Sequence, residues 1–314
     1  MRTAVVLGAG GVTGHAFHVG ALRALQELTG FDARTADVLV GTSAGSYVAA
    51  SLAAGLSAAD QAAGLTGDVL SPEGAALRKR AGSLGPLPEP AAPSRRPLDP
   101  FAGLRRPFRV RPAALAAGLI PPGRNSSSLL QRGAGALHGD TWPERDLRIC
   151  ALRVRDGQRV VLGTPGAPVT DVGTAVAASC AIPGYYQPVL IDGQAYVDGG
   201  SHSPTNVDVL RRDTLDLVLV LSPMTAGPKH GARADLAVRL AFRSYLAREV
   251  AAVRRTGAEV VVLQPSRLDL DAMGLNPMNT HRAVAVVDSV AESVRARLEA
   301  QPALACRLAD AVES

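Results

Sequence analysis

Short apolar runs and helical apolar faces alternate along most of the chain. The apolar runs, each bounded by glycine or polar residues, predict buried strands at residues 3–8, 37–41, 215–221 and 259–263. Between these runs, apolar side chains recur at helical spacing, most regularly over residues 15–28. Alternating strands and helices are typical of an α/β fold, so we expect a three-layer α/β/α domain with a mostly parallel central sheet.

Two Asp-Gly pairs predict β-hairpins in the second half of the chain. Asp156-Gly157 separates two apolar stretches within residues 147–162, and Asp192-Gly193 lies within residues 189–197. The other periodic segments predict helices at residues 44–56, 57–70, 124–137, 171–179, 204–212, 233–255, 280–300 and 302–312.

Residues 71–124 differ in composition from the rest of the chain, because proline, glycine and arginine replace most large apolar residues. We interpret residues 1–314 as a single domain that carries this segment as a flexible insert or lid, and we expect residues 82–94 to be extended or disordered. Apolar side chains lie among the basic residues of 78–108. This stretch could contact a lipid surface peripherally, and a solvated linker is the plainer alternative.

Composition argues against several classes of protein. No apolar run is long enough to span a bilayer, and the chain enters a strand at once instead of a signal peptide, so we expect a cytoplasmic protein, at most peripheral to membranes. The net charge is +5, but aromatic residues make up only 4% of the chain, too few to form base-stacking platforms for nucleic acid. The cysteines Cys150, Cys180 and Cys306 are widely spaced, and we expect neither a disulfide framework nor a metal site.

The sequence Gly41-Thr42-Ser43-Ala44-Gly45 lies between a predicted strand and a predicted helix. A serine on such a sharp turn is strained and exposes its hydroxyl, and the flanking glycines allow the backbone to approach closely. The helix that follows directs its partial positive end at the same point. The pattern predicts a nucleophilic Ser43. The alternative is an ordinary glycine-rich turn without a catalytic role, which could have the same pattern.

A glycine-rich turn from Gly8 to Gly14 joins the first strand to the first helix. Its backbone N–H groups would bind an anion, either a pyrophosphate or a transient oxyanion. The common dinucleotide fingerprint requires glycine where this chain has Thr13, although the spacing of Gly8, Gly11 and Gly14 matches a variant found in reductases. Those enzymes need a Tyr-x-x-x-Lys pair, which this sequence lacks. An NAD(P)-binding Rossmann-type oxidoreductase therefore remains an alternative.

Asp198-Gly199-Gly200 follows the last strand of the second hairpin directly. We expect a carboxylate at a strand end, followed by two glycines, to be exposed and closely approachable. A plain turn is the alternative, since Asp-Gly is common in turns. His202 lies four residues after Asp198. A Ser–His–Asp triad that uses His202 is a minor alternative.

Together these motifs resemble the patatin-like phospholipase family of lipid acyl hydrolases. Ser-Cys-Ala-Ile-Pro-Gly at 179–184 and Ser203-Pro204-Thr205-Asn206 strengthen the resemblance, which covers about residues 3–66 and 145–265. The resemblance implies a Ser–Asp dyad without a catalytic histidine. Ser43 would be the nucleophile and Asp198 the base, and the backbone amides of Gly10 and Gly11 would form the oxyanion hole. The glycines expected to support these motifs are Gly8, Gly14, Gly41, Gly45, Gly199 and Gly200.

The sequence therefore predicts a serine acyl hydrolase that cleaves carboxylic esters of lipids through a covalent acyl-Ser43, without metal or cofactor. Acyl transfer requires an activated hydroxyl, a proton acceptor in reach and donors for the tetrahedral oxygen. A third hypothesis is a catalytically silent lipid-binding relative.

Overall fold

The computed structural model of the chain describes residues 1–82, 119–227 and 233–313. Eight strands of these ranges form one sheet, in the order β5-β6-β3-β2-β1-β7-β8, with β4 paired to β3. The strands are β1 (Thr3–Leu7), β2 (Val38–Thr42), β3 (Asp146–Arg153), β4 (Gln158–Leu162), β5 (Val189–Ile191), β6 (Gln194–Asp198), β7 (Leu217–Leu221) and β8 (Glu259–Leu263). β3, β2, β1, β7 and β8 are parallel, while β4 and β6 pair with β3 in the antiparallel sense.

The helices cover the sheet on both faces. In the described residues they are α1 (Gly11–Thr29), α2 (Ala44–Ala53), α3 (Ala58–Thr66), α4 (Pro72–Ala81), α5 (Ser128–His138), α6 (Val172–Ser179), α7 (Leu236–Arg254), α8 (Arg267–Met273), α9 (Ala283–Ala300) and α10 (Pro302–Glu313). No described helix combines the length and the apolar character needed to cross a bilayer.

The central strands are apolar because both of their faces are buried. Successive side chains of a strand point to opposite faces. In β1, Val5 and Leu7 belong to the core shared with α1, α2 and α9, whereas Ala4 and Val6 pack with residues of α7 in a second core. The predicted three-layer α/β/α fold with a mostly parallel sheet is confirmed.

Serine side chains cap the starts of helices α4 and α8. Ser71 caps α4 by accepting a hydrogen bond from the Gly74 amide, and Pro72 occupies the first turn. Ser266 and Asp269 form a reciprocal capping box at the start of α8. The start of the proposed insert is therefore helical. Of its predicted extended stretch, 82–94, only Gly82 lies within the described residues. Of the basic stretch 78–108, the part after Gly82 likewise lies outside them.

The predicted helix at 204–212 was wrong in extent, because only a 3-10 turn at Val207–Leu210 forms there. Asn206 precedes it in the left-handed conformation, with φ 53°. A helix cannot continue through that residue, and the next amide, of Val207, donates to the carboxylate of Glu249 at 3.1 Å. A contact distant in sequence thus overrides the local helical spacing.

A Cβ atom at Gly45, in α2, would overlap the carbonyl oxygen of Leu7 in β1. We predict that Gly45→Ala lowers the free energy of unfolding by about 3 kcal/mol or more, since neither backbone can yield easily. The matched control is Gly135→Ala in α5, where the nearest atom to a new Cβ would lie at 3.8 Å. That change should stabilise the protein by about 0.5–1 kcal/mol through helix propensity. Urea denaturation measures both, and equal effects would contradict the prediction.

Candidate active site

The carboxyl ends of the neighbouring strands β1 and β2 place the glycine-rich loop beside Ser43. The two strands are parallel, and Leu7 pairs with Gly41 in the register. Loops that leave parallel strands at their carboxyl ends lie at the same edge of the sheet, which is where α/β folds bind ligands. β6 runs antiparallel to β3 and ends at Asp198, opposite Ala151 of β3.

Ser43 has the strained backbone that its sequence pattern predicts. Its φ is 54° and its ψ is −125°, a combination that residues with a Cβ rarely adopt. Three hydrogen bonds hold it there. Its amide donates to Ser179 Oγ at 2.8 Å, Ser179 Oγ donates to the carbonyl of Cys150 at 2.7 Å, and Ser46 Oγ donates to the carbonyl of Ser43 at 2.6 Å. The Ser43 hydroxyl is left free of these contacts.

The motif glycines fit because other atoms occupy the space of a side chain. A Cβ at Gly41 would overlap the backbone of Ser46, and one at Gly199 would overlap the carbonyl of Cys150. A Cβ at Gly8, Gly45 or Gly200 would lie 3.0 Å or less from Pro204, Leu7 or Asp198, so these positions favour glycine. Gly14 is different, because a Cβ there would come no nearer than 3.3 Å to Pro223.

Asp198 lies at the end of β6, and the expectation that it is exposed was wrong, because the segment around Ala181 packs against it and leaves it 5% exposed. Its amide donates to the carbonyl of Ala181 at 2.9 Å, and its Oδ1 accepts a hydrogen bond from the amide of Gly200 at 2.7 Å. Burial raises the pKa of this carboxyl to about 6, because a charged carboxylate is poorly solvated there. The nearby Ser43 hydroxyl and the hydrogen bond from the Gly200 amide oppose that rise in pKa.

The side chains of Ser43 and Asp198 therefore lie near each other, although they come from distant parts of the chain. Their interaction favours the ionised carboxylate. The Ser43 hydroxyl is near enough to lower the pKa of the Asp198 carboxyl, but within the described residues the pair lacks the geometry of a standard hydrogen bond. Contacts between a catalytic hydroxyl and its base often shorten only when substrate binds.

Three amides of the glycine-rich loop lack acceptors within the described residues. The amides of Gly8 and Ala9 donate to carbonyls of Leu221 and Pro204, and that of Thr13 donates to Pro277. In contrast, the amides of Gly10, Gly11 and Val12 have no acceptor within the described ranges. Gly11, with φ 60°, lines the same cavity as Ser43, whereas Gly10 does not. The Val12 amide is a further donor that the sequence analysis did not propose.

A cavity of about 470 Å³ opens beside Ser43, within the range of small-molecule sites. Its wall is mostly apolar. The larger apolar side chains that line it are Val12, Tyr47, Leu56, Leu65, Leu130, Leu137, Ile182, Tyr186 and Met278. Asp198 does not line the cavity, whereas Ser43 does. Within the described parts of the chain, no cluster of histidine, cysteine or carboxylate side chains is suited to a metal ion.

The histidines near the site are poor proton acceptors at neutral pH. Burial, together with the nearby charge of Arg78, lowers the pKa of His15 to about 4, and His15 lines the cavity next to Tyr47. Burial also lowers the pKa of His18 to about 3, and its Nε2 lies 2.7 Å from the carbonyl of Gly8. His202, the minor candidate from the sequence, does not line the cavity.

Asn206 joins the two halves of the site, a role that the sequence analysis did not assign. Its Nδ2 donates to Thr42 Oγ1 at 3.1 Å and to the carbonyls of Ser203 and Gly199 at 2.7 and 3.4 Å. Its Oδ1 accepts from Arg159 at 3.1 Å. Thr42 precedes Ser43 and Gly199 follows Asp198, so one buried amide fixes the distance between the two segments. Only the residue type, asparagine, could have indicated from the sequence that residue 206 adopts a left-handed backbone.

We predict that Asp198→Asn stabilises the fold at alkaline pH. A carboxyl whose pKa is raised by folding costs stability when ionised, and this cost is complete above pH 6 and vanishes below the unfolded pKa. The free energy of unfolding of Asp198→Asn minus that of wild type should therefore decrease by about 3 kcal/mol from pH 8 to pH 3.5. Urea denaturation across this range measures it, with the exposed Asp192→Asn as control. A difference that does not vary with pH would contradict the prediction.

Comparisons with known proteins bear on the family. No curated protein sequence matches the chain significantly. Among solved structures it is similar to VipD from Legionella pneumophila, with 16% identity and a TM-score of 0.39 over 93% of this chain and 67% of that one. It is also similar to type III effector protein ExoU, with 20% identity and a TM-score of 0.37 over 94% of this chain and 53% of that one, so it spans about half the length of ExoU.

The family model described as patatin-like phospholipase matches residues 5–211, which is more than half of the 314 residues. The match includes the glycine-rich loop, Ser43 and Asp198. The chain therefore belongs to the patatin-like phospholipase family.

Proposed function

We propose that the protein is a serine acyl hydrolase that cleaves carboxylic esters of lipids through a covalent acyl-Ser43. The observation that carries the proposal is that Ser43, on a strained turn, lines a mostly apolar cavity and has the buried Asp198 as a neighbour. Membership of the patatin-like phospholipase family supports a lipid as substrate. The cavity offers apolar surface for an acyl chain next to the serine hydroxyl.

In the first step, Ser43 Oγ attacks the carbonyl carbon of the ester while Asp198 accepts the hydroxyl proton. The carbonyl oxygen becomes negatively charged, and the free amides of Gly10 and Gly11 are its proposed donors. Collapse of the tetrahedral intermediate releases the alcohol, which takes the proton from Asp198. The acyl group remains on Ser43.

In the second step, a water molecule attacks the acyl carbon while Asp198 accepts one of its protons. The same amides stabilise the second tetrahedral oxygen. The ester bond to Ser43 then breaks, Asp198 returns the proton to Ser43 Oγ, and the fatty acid leaves. Each step uses only groups of this chain, water and substrate.

The two alternatives from the sequence have less support. For an NAD(P)-dependent oxidoreductase, the glycine loop would have to accept a pyrophosphate, but Pro223 packs against Gly10 and Gly14, and Pro277 packs against Gly11. A silent lipid-binding relative would have the same cavity without a reactive serine. The strained backbone of Ser43 favours the enzyme, because strain of this kind concentrates at functional sites.

Substitution of the dyad tests the proposal. Ser43→Ala and Asp198→Asn should each lower the hydrolysis of a 4-nitrophenyl acyl ester by about a thousandfold or more, because each removes a group that acts in both steps. A fluorophosphonate should label wild type at Ser43 and should not label Ser43→Ala. The controls are Ser244→Ala and Asp192→Asn, which change exposed residues of the same types.

Other outcomes separate the alternatives. Activity or labelling that persists in Ser43→Ala would contradict the proposed nucleophile. A folded wild type that binds lipid without hydrolysis or labelling would favour the silent relative. Binding of NADPH, measured by its fluorescence, would favour the oxidoreductase.

We also predict how the reaction depends on pH. Asp198 must be ionised to accept a proton, and its pKa is raised to about 6 by burial. The value of kcat/KM for a neutral ester should therefore rise about tenfold per pH unit below pH 6 and level off above it. A stopped-flow or plate assay with the fold verified at each pH measures the profile. A flat profile between pH 4.5 and 8 would contradict a base with this pKa.

A further inference from the structure

A further cavity, of about 230 Å³, lies beside the second core of the fold. Val161 and Val209 line it, and both pack against this core, which contains residues of α7. In contrast, Tyr47 and Leu65 of the cavity beside Ser43 pack against the core shared with α1, α2 and α9. Among the described residues, none lines both cavities. This cavity is therefore separate from the candidate active site, and it is smaller than the usual pocket for a drug-sized ligand.

Arginine side chains form most of the wall of this cavity. Four of its seven lining residues are arginines, and none is acidic. We call it the arginine cavity, and its arginines are Arg148, Arg159, Arg211 and Arg212. The first two belong to the neighbouring strands β3 and β4, and the other two follow the 3-10 turn at Val207–Leu210. Separate parts of the chain thus bring four positive charges to one cavity.

Carboxylates that do not line the cavity hold two of the four arginines in place. Arg148 donates to Asp213 through two nitrogens, at 2.9 and 2.7 Å, and pairs with Asp146 at 2.7 Å. Arg159 donates to Asp208 through two nitrogens, at 2.5 and 3.0 Å. Guanidinium groups that are already fixed in this way lose little further freedom when an anion binds, so the cavity is preorganised for a ligand.

The other two arginines leave positive charge available to that ligand. Arg211 lies 3.4 Å from Asp208, a carboxylate that already binds Arg159, and 49% of its side chain is exposed. Arg212 is exposed, and within the described residues it has neither an ion-pair partner nor a hydrogen-bond acceptor. The four guanidinium groups thus share three carboxylates, and the cavity keeps a net positive charge.

We propose that the arginine cavity binds the phosphate group of a phosphate monoester, at a site distinct from that of the proposed hydrolysis. A phosphate monoester carries about two negative charges at neutral pH and three acceptor oxygens. It can therefore bind Arg211 and Arg212 while it also contacts the fixed guanidinium groups of β3 and β4. A carboxylate has one charge and two oxygens, which a single guanidinium satisfies. The site thus favours phosphate over carboxylate.

Arg159 connects the arginine cavity to the segments that hold the proposed catalytic pair. Its Nη1 donates to Asn206 Oδ1 at 3.1 Å, and the Asn206 amide donates in turn to Thr42 and to the carbonyl of Gly199. A phosphate is a stronger acceptor for a guanidinium than a neutral amide oxygen is. A bound phosphate should therefore weaken the bond between Arg159 and Asn206 and loosen the position of Ser43. We expect occupancy of the cavity to slow reactions of the Ser43 hydroxyl.

Two aromatic anions that differ in their acidic group test the site. We would titrate phenyl phosphate and benzoate into the full chain by calorimetry, at low and constant ionic strength because salt screens exposed charges. Phenyl phosphate should bind about tenfold more tightly than benzoate, and Arg212→Gln should weaken its binding about tenfold. The matched control is Arg255→Gln, which changes an exposed arginine that also lacks an acceptor in the described chain and does not line the cavity. Circular dichroism verifies that both variants are folded.

Three results would overturn the site. The first is that phenyl phosphate and benzoate bind equally to wild type. The second is that Arg212→Gln binds phenyl phosphate as tightly as wild type does. The third is that the Arg212 and Arg255 variants lose affinity equally, which would indicate an effect of the net charge of the protein alone.

A vesicle assay distinguishes the two sources of such a phosphate. Phosphatidic acid presents a phosphate monoester at the surface of a bilayer, so we would measure sedimentation of the protein with phosphatidylcholine vesicles that do or do not contain it. Binding that requires phosphatidic acid and is lost in Arg212→Gln, without binding of phenyl phosphate, would identify a lipid headgroup. Binding of phenyl phosphate alone would identify a dissolved compound. If neither probe binds, the proposed site is wrong.

The rate at which a fluorophosphonate labels Ser43 tests the connection to the catalytic pair. Saturating phenyl phosphate should lower the labelling rate constant of wild type about fivefold, and this effect should disappear in Arg212→Gln. A decrease that persists in Arg212→Gln would indicate competition in the cavity beside Ser43 and would contradict the connection, as would an unchanged rate in wild type. This part rests on the proposed function, whereas the calorimetry does not. If Ser43 is never labelled but phenyl phosphate binding depends on Arg212, the site stands and the hydrolase proposal fails.

Discussion

The site depends on the close approach of helix α2 to strand β1. Gly45 touches the carbonyl of Leu7, and Gly41 touches the backbone of Ser46, so the chain has no room for a side chain on either side of the turn. To make so tight a turn, Ser43 must take a positive φ. This conformation directs its amide to Ser179 and leaves its hydroxyl at the cavity. The packing of two backbones, more than any property of serine itself, therefore determines where the hydroxyl lies.

Strand β3 contacts both the segment that holds Ser43 and the segment that holds Asp198. The carbonyl of Cys150 accepts the hydrogen bond of Ser179, which in turn holds Ser43, and the same carbonyl lies against Gly199, next to Asp198. Asn206 joins the same two segments from the opposite direction. A shift of either segment would therefore disturb contacts with the other, and the geometry of the pair is determined by several buried contacts together.

The sequence was informative where chemistry depends on local geometry. The strand–turn–helix at Ser43, the carboxylate after β6 and the parallel core each follow from short patterns of glycine and apolar residues. Asn206 was expected within a helix because local spacing cannot reveal that Glu249 captures the next amide. Nor could the sequence place Arg78 of α4 over Gly64 of α3, because the contact joins two separate helices. The sequence thus predicted the local constraints on the backbone but not the polar contacts between residues that are far apart in the chain.

Burial reverses the usual order of basicity in this site, and this bears on why the proposed mechanism needs no histidine. In water a carboxylate is a much weaker base than an imidazole. Here burial raises the pKa of Asp198 to about 6, whereas it lowers the pKa of His15 to about 4 and that of His18 to about 3. The same lack of solvation disfavours the charged form of each group, which is the anion of aspartate and the cation of histidine. The carboxylate is therefore a stronger proton acceptor than either neighbouring imidazole, and it is the group in contact with Ser43.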